Sequence, residues 1–140
     1  MRARLALVLA AAGLALILAG CSDMGDPVSM VAPHPTTVSY QNDVRAIFNT
    51  RGCLNPNCHG DGFSEITGML SSYDNFVNRT SFSYGPALIV KPLDPPASVL
   101  YNKIEDTGLY GQLMPFGGSQ IPQAERDLIR NWILQGAQNN

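Results

Sequence analysis

Apolar residues recur at helical spacing just after residue 38. The pattern predicts an amphipathic helix that begins behind Ser39 as N-cap and ends at Gly52, with Arg51 in its last turn where a cation suits the helix dipole. Its apolar residues fall at positions i, i+4, i+7 and i+8: Tyr40, Val44, Ile47 and Phe48.

A second apolar stripe near the C-terminus predicts the strongest helix of the chain, beginning after Pro122 and ending at Gly136. The residues of this stripe are Leu128, Ile129, Trp132, Ile133 and Ala137. Arg126, Asp127 and Arg130 lie away from it, as expected for a solvent-facing side.

Between these helices the pattern is weak. A short helix is predicted from about Tyr73 to Asn78 behind Ser72, and another from Asp94-Pro95, with Pro in its first turn. The second would carry Val99, Leu100 and Ile104 on one side. No segment has a convincing strand pattern, so the fold class predicted is all-α.

The N-terminus has the form of an export signal. Arg2 and Arg4 precede an apolar run over residues 5–18 that is too short for a confident membrane span. The run closes on LAGC, residues 18–21, which resembles the lipobox of bacterial lipoproteins and would make Cys21 the lipidated first residue. An ordinary signal peptide with an incidental Cys is the alternative. The domains predicted are a signal peptide over 1–20, a lipidated Cys and Pro-rich tether over 21–38, and a folded domain over 39–140.

Net charge and cysteine content limit the functions that this chain could have. The net charge is −2 with no Lys/Arg run, which argues against a nucleic-acid partner. Of the three Cys, Cys21 is assigned to lipid, which leaves Cys53 and Cys58 as a pair in an oxidising compartment. His34 lies in the tether and is interpreted as a solvated linker residue.

The segment CLNPNCH, residues 53–59, is the most informative motif. Covalent haem attachment needs two thiols for the two vinyl groups and a His beside the second Cys to bind the iron. The spacing C-x4-C-H is wider than the usual C-x-x-C-H, so the extra residues must loop outward, and Asn55-Pro56 favours such a turn. A haem would also fill a core short of apolar residues, with Phe48, Leu100, Trp132 and Ile133 packed around it.

Three other interpretations of this segment stay open. Cys53 and Cys58 could form a structural disulfide. With His59 they could form half of a zinc site, but no second Cys/His pair exists. A thiol–disulfide oxidoreductase would require C-x-x-C at a helix start beside a strand, which the sequence lacks.

A haem iron held by His59 has a second axial position. Met69 lies ten residues after His59, too near to reach the opposite face easily. Met114 lies 55 residues after His59, in a Met-Pro-Phe-Gly-Gly loop just before the last helix, and is the candidate.

The order helix, Cys-His-Gly, loops, Met-Pro, helix resembles the class I c-type cytochromes over roughly residues 39–138, most closely the small domains of exported bacterial proteins. The resemblance implies that Cys53 and Cys58 attach one haem c, that His59 is the proximal ligand and Met114 the distal one, and that the first and last helices cross near a haem edge. It carries least weight for Cys53, because of the wide spacing.

With both axial positions filled, the function predicted is single-electron transfer between redox proteins of the cell envelope, not enzymatic turnover. The lipid anchor would hold the protein at a membrane, and Ser22 after Cys21 favours the outer one. Two alternatives are a five-coordinate haem protein acting on peroxide or small gases, and a non-haem lipoprotein stapled by a disulfide.

Overall fold

The computed structural model describes residues 37–60 and 68–140. The predicted signal peptide, the lipidation site Cys21 and almost all of the tether lie outside the described residues. Within the described part, no helix is long and apolar enough to cross a membrane. That part contains three α-helices and two short helical turns, in agreement with the all-α prediction.

The first predicted helix is present, but it opens with a wider turn. A π-helical turn over Tyr40–Val44 runs directly into helix α1, Arg45–Thr50. The Ser39 hydroxyl accepts a hydrogen bond from the Asn42 backbone N–H, as expected of an N-cap. Gly52 follows the helix with φ +71°, a left-handed conformation in which a side chain would be strained.

Helix α2 spans Val99–Glu105, and its predicted start at Asp94-Pro95 was wrong. The Asp94 carboxylate accepts a hydrogen bond from the Ala97 N–H and closes a separate turn before the helix. Ser98 is extended (φ −96°, ψ 126°) because its backbone pairs with Leu88. The first N–H groups of α2 donate to loop carbonyls, and these hydrogen bonds replace those of a side-chain cap.

The predicted helix after Ser72 is a single 3-10 turn, Tyr73–Asn75, shorter than expected. The Ser72 side chain makes no capping hydrogen bond, so nothing extends the turn. Beyond it, backbone pairing among the described residues is limited to isolated bridges, and no strand forms there.

Helix α3 spans Gln123–Leu134 and confirms the C-terminal prediction. Ile129, Trp132 and Ile133 are fully buried, and Gly136 beyond the helix has φ +93°. The helix packs against the opening π-helical turn and against α2. Trp132, Tyr40 and Phe76 form an aromatic cluster, with the Tyr40 and Trp132 rings stacked at 5.6 Å between centroids. The first and last helical segments of the described part are therefore joined through one core.

Candidate functional site

A cavity of about 610 Å³ opens beside this core. Its inner wall is apolar, and all three helices contribute to it. The buried residues of this wall are Ile47, Phe48, Leu70, Ile89, Val99, Ile104, Ile121 and Ile129. The exposed residues of its rim come from one loop and comprise Asn75, Arg79, Thr80, Phe82 and Ser83. This volume is in the range of cofactor sites, about 300–1,000 Å³.

Three of the predicted site residues line this cavity: Cys53, His59 and Met114. Cys53 and His59 belong to one short segment, and Met114 lies 55 residues further along the chain. Together they bring a thiol, an imidazole and a thioether to one cavity. Two backbone hydrogen bonds place the first pair: the Cys53 N–H donates to the Phe48 carbonyl (2.8 Å), and the His59 N–H donates to the Cys53 carbonyl (3.0 Å). Helix α1 therefore fixes where the Cys–His segment begins.

The residues between the two Cys form an outward turn, as the wide spacing predicted. Asn55, Pro56 and Asn57 are all exposed. The Asn55 carbonyl accepts hydrogen bonds from the N–H groups of Cys58 (2.8 Å) and Gly60 (3.2 Å), which closes the turn. A Cβ on Gly60 would lie 2.1 Å from the Leu54 carbonyl oxygen, so only glycine fits at this crossing.

The two Cys differ in their surroundings. Cys53 is partly buried and lines the cavity, whereas Cys58 is exposed and is not among the lining residues. Both thiols are free. Burial raises the pKa of the Cys53 thiol, and the neighbouring Cys58 and Glu125 raise it further. Of the two, Cys53 has the more direct access to a group in the cavity.

Met114 is positioned by helix α2. Its backbone N–H donates to the Lys103 carbonyl (3.0 Å), which ties the Met-Pro loop to the last turns of that helix. Met69 lines the same cavity. The N–H of the adjacent Leu70 donates to the His59 carbonyl (2.9 Å), so Met69 lies beside the His59 segment. Two Met thioethers thus line the cavity: Met69 beside the His59 segment and Met114 in the loop tied to helix α2.

Of the four residues predicted to pack around a cofactor, Phe48 and Leu100 line the cavity. Trp132 and Ile133 do not; they are fully buried in the core, where Trp132 stacks on Tyr40. The indole N–H donates to the Gln138 carbonyl (2.9 Å), which directs the ring toward the C-terminal segment. Both residues belong to the hydrophobic core beside the cavity.

Sequence reasoning missed three titratable residues of the cavity: Arg79, Tyr84 and Lys103. Lys103 lies one turn after Val99 and next to Ile104, both of which line the cavity, so helical spacing carried a signal for it. Arg79 and Tyr84 lie in a loop without periodicity and gave none. Among the described residues, no Asp or Glu lines the cavity.

The donor set fits an apolar cofactor that takes one imidazole and one thioether. Across residues 37–60 and 68–140, no group of three or more His, Cys, Asp or Glu side chains is arranged to hold a metal ion. The candidate centre therefore consists of His59 and Met114 with an apolar wall and a nearby thiol. No protein-family profile, curated protein or solved structure matches this chain.

Proposed function

We propose that this chain is a haem-binding electron-transfer protein of the cell envelope, a monohaem cytochrome c. One observation carries the proposal: one cavity with an apolar inner wall is lined by Cys53 and His59 of the Cys–His segment and by Met114, which lies 55 residues after His59 in the sequence. Each supplies a group that a covalently attached haem requires, respectively a thiol for a vinyl group, an imidazole and a thioether for the iron.

The haem would supply one-electron exchange between ferric and ferrous iron when bound. His59 and Met114 would hold the haem iron, and two protein ligands favour an electron carrier over an enzyme. Phe48, Ile104 and Ile129 exclude water from the inner wall. A thioether in place of a second imidazole favours the reduced state, so the reduction potential would be fairly high.

Cys58 would form the second thioether, although its side chain is exposed. It directly precedes His59 and ends a turn held by the Asn55 carbonyl. Bringing its sulfur to the cavity requires rearrangement of the side chain or of this turn alone.

The proposed location of the protein in the cell rests on residues outside the described part. A lipid on Cys21 would tether the domain to a membrane, the outer one being favoured, and the partners would be redox proteins within reach of the tether. No nucleic-acid partner is proposed.

The test is export of the full chain in a host that carries haem-maturation machinery, followed by mass spectrometry and visible spectroscopy. We expect a mass increase of one haem and the low-spin spectrum of His/Met iron. The matched control is Cys53→Ser with Cys58→Ser, which should lack covalent haem. A wild-type chain without haem would refute the proposal. A high-spin spectrum would favour the five-coordinate alternative.

A further inference from the structure

The point at which the predicted tether joins the domain is fixed by residues that follow helix α3. Val38, the last residue of the tether, is buried, and its backbone N–H donates to the Gln135 side-chain carbonyl (2.8 Å). Two residues further along, the Tyr40 N–H donates to the Asn140 side-chain carbonyl (2.9 Å). The tether therefore leaves the domain beside the C-terminal end of α3, and an anchor at Cys21 would hold that end closest to the membrane.

Two exposed apolar side chains lie at the same end of the helix. Leu93 is 67% exposed, and Leu134, the last residue of α3, is 41% exposed. The Leu93 N–H donates to the Ile133 carbonyl (2.8 Å), so the backbone of Leu93 packs directly against the end of the helix. A Cβ on Gly136 would lie 3.8 Å from Leu93 Cδ2, which places this side chain at the turn that follows α3. We call Leu93 and Leu134 the α3-end patch.

Leu93 has a backbone conformation that disfavours its own side chain. Its φ is +69°, in the left-handed region that a bulky residue seldom adopts and that Gly or Asn adopts readily. The exposed side chain contributes little packing in return, because two thirds of it is open to solvent. Strained residues cluster at functional sites, so an exposed Leu held in this conformation points to a partner outside the described chain.

The charged residues nearest to the α3-end patch in the sequence are balanced. Lys91 pairs with Asp94 (2.8 Å) on either side of the first Leu. Arg130 is exposed one turn before Leu134, and Asp127 lies one turn before Arg130 on the same side of the helix. The patch thus combines apolar side chains with equal numbers of positive and negative neighbours, which suits a lipid surface whatever the charge of its headgroups.

We propose that the α3-end patch docks on the lipid surface to which the chain is anchored through Cys21. The tether brings this end of the domain to the membrane, and exposed Leu side chains gain free energy when they enter its apolar layer. Two Leu residues bind weakly by themselves. A short linker raises the effective concentration of a linked surface to about the millimolar range, so weak docking is sufficient. The inference rests on the lipid anchor of the proposed function and not on its haem.

The test is photo-crosslinking of the full lipidated chain in vesicles that contain a lipid with a diazirine in its acyl chain. The vesicles are made of phosphatidylcholine, with or without phosphatidylglycerol, and lipid adducts are mapped by mass spectrometry after proteolysis. We expect adducts on the peptides of Leu93 and Leu134 in both lipid mixtures. Leu109 and Phe116 are the internal controls, because they are 63% and 72% exposed in other loops and should carry no adducts.

Leu93→Asn separates docking from stability. Asn tolerates a positive φ and removes the apolar side chain, so the free energy of unfolding should stay the same or rise. Adducts on the Leu134 peptide should fall by up to about tenfold, the effect of losing the burial of one Leu. Leu109→Asn is the matched control and should keep the wild-type adducts. A Leu93→Asn chain with lower stability and unchanged adducts would assign Leu93 to packing and overturn the proposal.

Other results also decide it. Adducts confined to residues 22–36 would show that only the tether meets the lipid, and adducts on the Leu109 loop would show that another face docks. Either result overturns the proposal. A patch without adducts overturns it too and leaves a second copy or another protein as the occupant. If Leu93→Asn does not fold, Leu134→Gln takes its place and must lower the adducts on the Leu93 peptide.

The same sample separates this proposal from the proposed function. The mass of the N-terminal peptide shows whether Cys21 carries acyl chains, and a chain without them overturns the docking proposal. The haem content of the sample reports on the electron-transfer proposal alone. Docking without haem, or haem without docking, would therefore refute one proposal and leave the other intact.

Discussion

Two methionine thioethers line the cavity. Under the proposed function, one of them would bind the haem iron together with His59. Met69 lies beside the His59 segment, whereas Met114 is held by helix α2. We therefore expect Met114→Ala to retain haem, to lower the midpoint potential and to open the iron to added ligands such as cyanide, because thioether ligation favours ferrous iron.

The matched control is Met69→Ala, which removes a thioether of the same size from the same cavity. It should leave the potential and the ligand binding close to wild type. If Met69→Ala changes both and Met114→Ala changes neither, the axial assignment is reversed. Potentiometric titration and ligand binding followed by visible absorption measure both effects.

Substitution of Gly60 tests whether the Cys–His turn requires glycine at this position. Ala at this position would bring its Cβ to 2.1 Å from the Leu54 carbonyl oxygen, so the backbone of the turn must shift. We expect Gly60→Ala to lower the free energy of unfolding by about 1–3 kcal/mol, the usual cost of backbone strain, and to reduce haem attachment.

Gly118→Ala is the control, because its Cβ would meet the Pro115 carbonyl oxygen at an ordinary 3.5 Å. Urea unfolding monitored by circular dichroism gives the free energies. Equal stability of the two variants would show that the turn yields easily and that the glycine is not required.

A site residue could be predicted from the sequence when it had distinctive chemistry or lay in a periodic segment. Cys53, His59 and Met114 carry distinctive chemistry, so their types and order were informative, and the structure brings all three to one cavity. The exposure of Cys58 was not predictable, because it depends on how the 55–58 turn closes. Arg79 was missed because a cation in an irregular loop has no periodic context.

An ion pair between two largely buried side chains joins helices α2 and α3. Arg126 Nε lies 3.1 Å from Glu105 Oε2, with side chains 12% and 19% exposed, and Arg126 Nη1 donates to the Ile121 carbonyl. We expect Arg126→Met to lower the free energy of unfolding by about 1.5–3 kcal/mol, because it removes hydrogen bonds to a charged group.

Arg130→Met is the control, since Arg130 is one turn further along the same helix and exposed. It should change the free energy of unfolding by less than about 0.5 kcal/mol. Urea titration of both variants checks the difference. A similar decrease in the free energy of unfolding in both variants would indicate a general effect of charge on α3. It would argue against a specific link between the helices.

Element boundaries were predictable where the pattern was local. Residues of α1 and α3 repeat at helical spacing and have Gly just beyond their ends, and both helices were found. The start of α2 was misplaced because pairing between Ser98 and Leu88, ten residues apart, holds Ser98 extended. Such a pairing depends on tertiary structure, which overrides the Asp-Pro start signal.

In the described part of the chain, the buried apolar side chains form one core, and part of this core borders the cavity. The aromatic cluster of Tyr40, Phe76 and Trp132 joins the N- and C-terminal helical segments and is filled by the chain itself. The wall formed by residues such as Ile104 and Ile129 borders the cavity instead. Under the proposed function, the haem would lie against this wall and extend the core on that side.

The aromatic cluster also predicts how stability responds to alkaline pH. Burial raises the pKa values of the Tyr40 and Tyr73 phenols above the ordinary value of about 10. The folded state then holds these protons more tightly than the unfolded chain, so their contribution to stability is complete below about pH 10 and is lost as the pH rises further. Tyr40 alone would give a slope of at most about 1.4 kcal/mol per pH unit.

We expect Tyr40→Phe to flatten the fall in the free energy of unfolding above about pH 10, measured by urea titration at a series of pH values. The comparison uses the slope, so a constant change in packing cancels. Tyr110→Phe, outside the cluster, is the control and should keep the wild-type slope. A Tyr40→Phe profile parallel to wild type would show that the phenol ionises as readily in the folded state as in the unfolded chain, and that the cluster does not exclude its charge.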